Sequence, residues 1–211
     1  MATGRKVLTA KLSAEGLTLF RGERCLFKGL GFALNAGELL LLEGRNGSGK
    51  TSLMRAIAGL LDLEAGEIRW NGNDVRTHRQ AFYAALVWMA HRVGFKADLT
   101  LVENLRFEAH LRSQSEKDFD EVLERLDIGR LKRLPLRSLS AGQQRRVALA
   151  RMLLADVPLW LMDEPFTNLD REGRALVMRL VTEHLEKDGM CIMAAHQDVD
   201  VDGNVRKVVL Q

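Results

Sequence analysis

The chain has 211 residues, 46% of them hydrophobic and 28% charged, with 31 Lys and Arg against 28 Asp and Glu. That length allows one sizeable core or two small lobes and no second unit of equal size. The longest apolar run, Leu39–Leu42, falls far short of the ~20 residues of a membrane-spanning helix, and the first residues lack the apolar core of a secretory signal. The net charge of +3 is dispersed, so neither a membrane span, nor secretion, nor nucleic-acid binding is expected. Cys25 and Cys191 have no pairing motif or metal spacing and read as reduced structural residues.

Glu38–Glu43 reads as a strand buried on both faces, because its apolar residues are continuous instead of alternating. It leads into Gly44-Arg45-Asn46-Gly47-Ser48-Gly49-Lys50-Thr51-Ser52, after which Leu53, Met54, Ile57, Leu60 and Leu61 recur at helical spacing. Strand, glycine loop and helix in that order make a phosphate loop. Backbone N–H groups freed by the glycines curl around phosphates, Lys50 adds a mobile positive charge, and the Thr51 hydroxyl is placed for Mg²⁺. A glycine turn with a coincidental Lys-Thr is the plainer reading, and the flanking elements argue against it.

Gly66–Trp70 reads as a strand ending in an Asn71-Gly72 turn, and Ala85–Ala90 as another buried strand. From about Thr100 to Ala155 the pattern is mainly helical, broken at Gly129 and Pro135. Ser140 is placed as an N-cap with Ala141, Gly142 and Gln143 in the first turn, either an ordinary capped helix or a second anion site. Arg145-Arg146 reads as a solvated helix face, and Lys132-Arg133 as a solvated loop.

Leu159–Met162 is a core strand that delivers Asp163 and Glu164 to the carboxyl end of the sheet, where α/β folds bind ligands. On an extended segment the two carboxylates point to opposite sides, which suits two tasks; in isolation they would be a solvated acidic turn before Pro165. A helix over roughly 171–187 with Asp170 as N-cap, a strand over 190–195 ending at His196, and a last strand over 205–210 complete the pattern. No regulatory domain is expected after it.

Leu139-Ser140-Ala141-Gly142-Gln143, about 20 residues before the acidic pair and in the same chain as the phosphate loop, resembles the signature of the ATP-binding cassette ATPases. The resemblance implies an α/β P-loop NTPase fold with a RecA-like core, an antiparallel β subdomain and a helical subdomain. It makes 1–211 a single domain, with core and β subdomain over about 1–93 and 156–211 and the helical subdomain over about 94–155. It implies ATP as substrate and Mg²⁺ as cofactor, with Asp163 holding the metal through water, Glu164 polarising the attacking water and His196 contacting the γ-phosphate. Two chains would pair head to tail, Ser140, Gly142 and Gln143 of one meeting ATP on the phosphate loop of the other, and Asn168-Leu169-Asp170 touching the opposite chain. Phe20 corresponds to the aromatic that stacks on adenine, with core packing as the alternative.

One position departs from the pattern. Where most cassettes carry a Gln that reaches Mg²⁺, this chain has His91. Imidazole can present a lone pair to a metal-bound water, as a Gln carbonyl can, and loses it on protonation; a partly buried loop His is the other reading. The short length, the run Glu43–Arg55 and His91 resemble the ATP-binding subunit of cytochrome c maturation systems. That implies a peripheral protein on the cytoplasmic face of a bacterial inner membrane, working with integral membrane subunits and, indirectly, a haem chaperone. No Cys-x-x-Cys-His is present, so haem binding by this chain has no support. The segment Gly94–Arg112 is the expected docking surface, with Phe95, Leu99 and Leu101 lining a groove or packing the lobes together. A transporter of another substrate is the alternative pathway; the repair and ribosomal cassettes need a coiled coil or a second cassette that this length does not allow.

Overall fold

The computed structural model describes residues 11–91, 94–112, 119–195, 199 and 204–210. Two sheets organise them. Strands β1 (Lys11–Arg21), β2 (Arg24–Asn35), β4 (Ala65–Trp70) and β5 (Asn73–Asp74) form an antiparallel sheet in the order β2-β1-β4-β5. Strands β3 (Glu38–Glu43), β6 (Leu86–Met89), β7 (Leu159–Asp163), β8 (Met190–Ala194) and β9 (Asn204–Val209) form a parallel sheet in the order β6-β7-β8-β3-β9. The helices are α1 (Lys50–Ile57), α2 (Arg79–Ala84), α3 (Leu101–Leu111), α4 (Phe119–Arg125), α5 (Ala141–Ala155) and α6 (Arg171–Glu186).

The parallel strands are apolar throughout because both faces are covered. Side chains alternate across a strand, and this alternation divides one sheet between two cores. Leu39, Leu41, Trp160, Met162, Cys191 and Met193 pack with Leu101 of α3, Val147 of α5 and Val177 of α6. Leu40, Leu42, Leu159, Leu161 and Ile192 pack instead with Leu53, Met54 and Ile57 of α1 and with Leu12, Leu34 and Ile68 of the antiparallel sheet. The sequence pattern does not show β1 and β2 clearly, since bulges between Ala14 and Phe20 break the alternation of β1.

One helix is shorter than its spacing implies. Gly59 adopts φ 67 just past α1, its N–H donates to Ala56 at 3.0 Å, and the Leu60 N–H donates to Arg55 at 2.8 Å. That pair of bonds is a Schellman stop. Leu60 and Leu61 therefore leave the helix and stand 66% and 38% exposed.

The helical segment is fixed by caps and by buried polar groups. Thr100 and Glu103 cap α3 reciprocally, and Ser140 and Gln143 do the same for α5. Buried Asn104 brackets the loop before α3, accepting from Lys96 N at 2.9 Å and donating to Lys96 O at 3.0 Å. Strand β6 lies at the sheet edge, where outward carbonyls need partners. Arg112 of α3 donates to Leu86 O at 3.0 Å and Arg151 of α5 to Trp88 O at 2.8 Å. The helices thus hang on the edge strand by guanidinium groups.

On the same face of the sheet, the His184 ring of α6 stacks on Trp160 with centroids 4.0 Å apart and meets Met190 O at 3.2 Å. Burial drives its pKa from 6.5 down to about 4, against the opposing pull of the Met190 and Pro158 carbonyls. Between those values the unfolded chain binds more protons than the folded one, so stability falls as pH falls through the window, approaching about 3 kcal/mol at its lower end. Urea unfolding at about pH 7 and about pH 4.5 should show this loss in the native chain and a smaller one in His184→Gln. Equal losses would remove His184 as the cause.

Candidate functional site

The site begins where β3 ends. Gly44 turns the chain at φ 146, and a Cβ there would run into the Leu210 carbonyl and the Ser48 hydroxyl, so only glycine fits. Gly49, at φ 106, is the N-cap of α1 and packs so closely that a Cβ would lie 3.3 Å from Leu26. The Ser48 N–H closes the loop onto Arg45 O at 3.1 Å. Lys50 curls back over it, its Nζ donating to Gly44 O at 2.7 Å and Arg45 O at 3.1 Å. Burial lowers the Lys50 pKa, while the charges of Glu164 and Asp163 pull it back up. The Ser48 hydroxyl is buried without a hydrogen-bond partner among the described residues.

From the neighbouring strands, β7 brings Asp163 to the start of α1, and Thr51 Oγ1 donates to Asp163 Oδ2 at 2.9 Å. Asp163 is 2% exposed. Burial raises its pKa, the Thr51 bond opposes that, and the adjacent Glu164 charge adds to the rise. The chain does not continue extended, as the sequence pattern implied. Glu164 adopts φ 50, a left-handed conformation that costs a non-glycine residue roughly 1–2 kcal/mol. The two carboxylates are therefore separated by a backbone turn instead of strand alternation. Glu164 Oε2 lies 3.3 Å from His91 Nδ1 and accepts from Thr167 Oγ1 at 3.4 Å.

Glu164 shares an open cleft of about 190 Å³ with Arg21, Asn46, Gly47, Lys50, Thr51 and Ser52. Phe20 is not among the residues lining it and stands 42% exposed, so it does not pack in the core either. Its neighbour Arg21 lines that cleft. His91, with a side chain 57% exposed, is not a buried loop residue. His196 lies outside the described residues.

The first turn of α5 stands apart from this cleft. Ser140 Oγ accepts from the Gln143 N–H at 3.2 Å, and Gln143 Oε1 accepts from the Ser140 N–H at 2.9 Å. None of Ser140, Gly142 and Gln143 lines the phosphate-loop cleft of this chain. A second cleft runs beside them, bounded by His91, Phe95, Arg137, Ala141, Arg145 and Asn168. Gly142 is small for a reason of packing, since a Cβ there would approach Asn168 O at 3.0 Å. Asp170 caps α6 by accepting from Gly173 N at 2.8 Å, and Leu169 is buried in this chain's own core instead of offering its side chain outward.

One reading on the helical segment needs correction, and one open alternative divides between its residues. Arg145 does not lie on a solvated face: it is 4% exposed and donates to Pro165 O at 3.1 Å, Asp163 O at 3.0 Å, Ala90 O at 3.2 Å and Glu164 O. Arg146 donates to Leu126 O at 3.0 Å. The missed signal was position: Arg145 precedes Ala148 and Leu149 by three and four residues, on a side of the helix that is buried. Leu101 is fully buried between the elements, whereas Phe95 packs on the core beneath Arg151 and also lines the second cleft, and Phe107 and Leu111 of α3 stand 46% and 69% exposed.

Comparison with known proteins agrees with this geometry. The sequence profile of the family described as ABC transporter matches residues 27–167. The Cytochrome c biogenesis ATP-binding export protein CcmA of Methylococcus capsulatus is 47% identical over 203 residues, 95% of this chain and 98% of that protein. Its namesake in Vibrio cholerae is 42% identical over 202 residues, 94% of this chain and 98% of that protein. Among solved structures, a putative ABC transporter ATP-binding protein from Pyrococcus furiosus superposes with a TM-score of 0.82 at 23% identity, covering 95% of this chain and 97% of its own. An ATP-binding subunit of an ABC transporter gives 0.81 at 23% identity, with 88% and 79% covered.

The cleft geometry generates a direct test at its rim. A guanidinium facing a purine contributes roughly 0.5–1 kcal/mol at an exposed position. Arg21→Ala should weaken binding of a fluorescent ATP analogue about threefold, and Phe20→Ala should change it less than twofold; the reverse order would return the stacking role to Phe20.

Proposed function

Because this chain belongs to the ABC transporter family of ATP-binding proteins and is an ATPase, we propose that it energises a membrane complex for c-type cytochrome biogenesis. The pathway comes from the relatives' names, two of which are 47% and 42% identical across nearly the whole chain. Cassettes of this family act in pairs and on membrane partners. Among the described residues no helix is long and apolar enough to cross a membrane, so membrane-spanning partners would be separate subunits. The proposed location is the cytoplasmic face of a bacterial inner membrane, and the proposed indirect partner is a haem chaperone.

The observation that carries the catalytic reading is the Thr51–Asp163 hydrogen bond at 2.9 Å, with Glu164 lining the same cleft. ATP would sit with its phosphates on the N–H groups of the loop, where Lys50 Nζ exchanges the Gly44 and Arg45 carbonyls for phosphate oxygens. The residues fit Mg²⁺: a buried carboxylate whose pKa is raised by burial faces a hydroxyl, and a divalent cation would compensate the charge. Among the described residues there is no group of three metal-ligating side chains, so phosphate and water would complete the shell around Thr51 and Asp163. Bound there, Mg²⁺ supplies neutralisation of the β- and γ-phosphate charge.

Glu164 is the proposed general base for the attacking water. His91, 3.3 Å from its carboxylate, is proposed to orient it and to contact metal-bound water in place of the usual Gln. His196 is proposed to contact the γ-phosphate. Ser140 and Gly142 lie away from the phosphate loop of their own chain, which supports a head-to-tail pair in which each signature helix meets the partner's nucleotide. Asn168 and Asp170 would then face the opposite copy. Residues 94–155 would move as one lobe, and the outer face of α3 with Phe107 and Leu111 is the proposed docking surface for the membrane subunits.

Glu164→Gln should retain ATP and hydrolyse it at least ~10²-fold more slowly; turnover near the native rate would place the base elsewhere. Affinity capture with that variant from detergent-solubilised membranes should recover multi-span subunits together with a haem chaperone. Recovery of an unrelated permease would leave the ATPase reading intact and replace the pathway.

A further inference from the structure

We infer that Arg145 is a positioning residue that ties the signature helix to the backbone carrying Glu164, so that engagement of the helix start sets the placement of the carboxylate in the same chain. This rests on the proposed roles of Glu164 and of the α5 N-terminus. The geometry is specific. Four donor contacts run from one buried guanidinium: Nε to Pro165 O at 3.1 Å, Nη1 to Ala90 O at 3.2 Å, and Nη2 to Asp163 O at 3.0 Å and to Glu164 O. In an extended strand, successive carbonyls point to opposite sides. Here the carbonyls of 163, 164 and 165 converge on one planar fork, and the left-handed φ of 50 at Glu164 is what turns them together. The fourth acceptor, Ala90, immediately precedes His91, whose Nδ1 lies 3.3 Å from the Glu164 carboxylate. One side chain therefore holds the backbone on both sides of the His91–Glu164 contact.

The other end of the device is the helix itself. Arg145 lies five residues beyond the Ser140 cap, about 7.5 Å along a rigid helix, close enough for a shift of the first turn to be passed on without bending. Arg145 touches backbone alone in these contacts, and it does not line the phosphate-loop cleft, so the link carries position instead of nucleotide affinity. Lysine cannot replace it, because a single ammonium on a flexible stem does not match a planar set of carbonyls.

Steady-state ATP turnover in the solubilised membrane complex tests this with Arg145→Lys, Glu164→Gln and the double variant, alongside thermal melting and binding of a fluorescent ATP analogue. Arg145→Lys should lower kcat tenfold or more, the scale of a small misplacement of a reacting group, with KM and analogue affinity within about threefold. In the Glu164→Gln background it should lower turnover no further, since the carboxylate it positions is gone. A kcat within about twofold of native, a full additional loss in the double variant, or parallel losses of kcat, affinity and melting temperature would each overturn the positioning role. Native-like turnover in Glu164→Gln alone would instead overturn the base assignment, and with it the object that Arg145 is inferred to position.

Discussion

The hydrogen bond from Thr51 to Asp163 joins residues 112 positions apart, and the rest of the site follows from the packing that brings them together. β3 lies between β8 and β9, β7 between β6 and β8, and neither strand has a face in water. Such strands can end only where the helices above and below leave an opening, and at that opening the chain places its glycine loop and its two carboxylates. Burial then does chemical work. It raises the Asp163 pKa and lowers that of Lys50, so the site holds opposite charges in an environment that favours neither. A nucleotide phosphate with a divalent cation is the ligand we propose would relieve both.

The helical segment is joined to the sheet by apolar packing and, at the edge strand, by guanidinium groups as well. Arg112, Arg145 and Arg151 reach the carbonyls of Leu86, Ala90 and Trp88, which an edge strand would otherwise leave open. Charge-assisted bonds of this kind are directional. We propose that a lobe held by them would transmit rotation to β6 and to the turn at Glu164. Such a link would let events at the proposed signature helix reach the proposed catalytic carboxylate.

Much of this was legible in the sequence because the strongest signals are local. The continuous apolar runs of β3, β7 and β8, the glycine loop and the Ser140 cap each declare themselves within ten residues, and the order of motifs identifies the family. Other features needed the third dimension. Leu60 and Leu61 keep helical spacing past a Schellman stop at Gly59, which periodicity alone does not detect. The register irregularity between Leu19 and Phe20 near the end of β1 is likewise invisible to simple alternation. Arg145 looked like one of a solvated pair because charge was weighed without the helix face on which it falls. The turn at Glu164 is set by long-range contacts with Arg145 and with Ala194, whose carbonyl accepts the Glu164 N–H at 2.9 Å.

We propose that two copies enclose ATP between the phosphate loop of one and the signature helix of the other. Sedimentation velocity of the Glu164→Gln chain tests it most directly, with Mg·ATP, with Mg·ADP and without nucleotide. The account predicts a dimer that forms with ATP alone and is lost in a Ser140→Arg derivative that still binds the nucleotide. A monomer at saturating ATP, or a dimer indifferent to nucleotide and to Ser140, would contradict it.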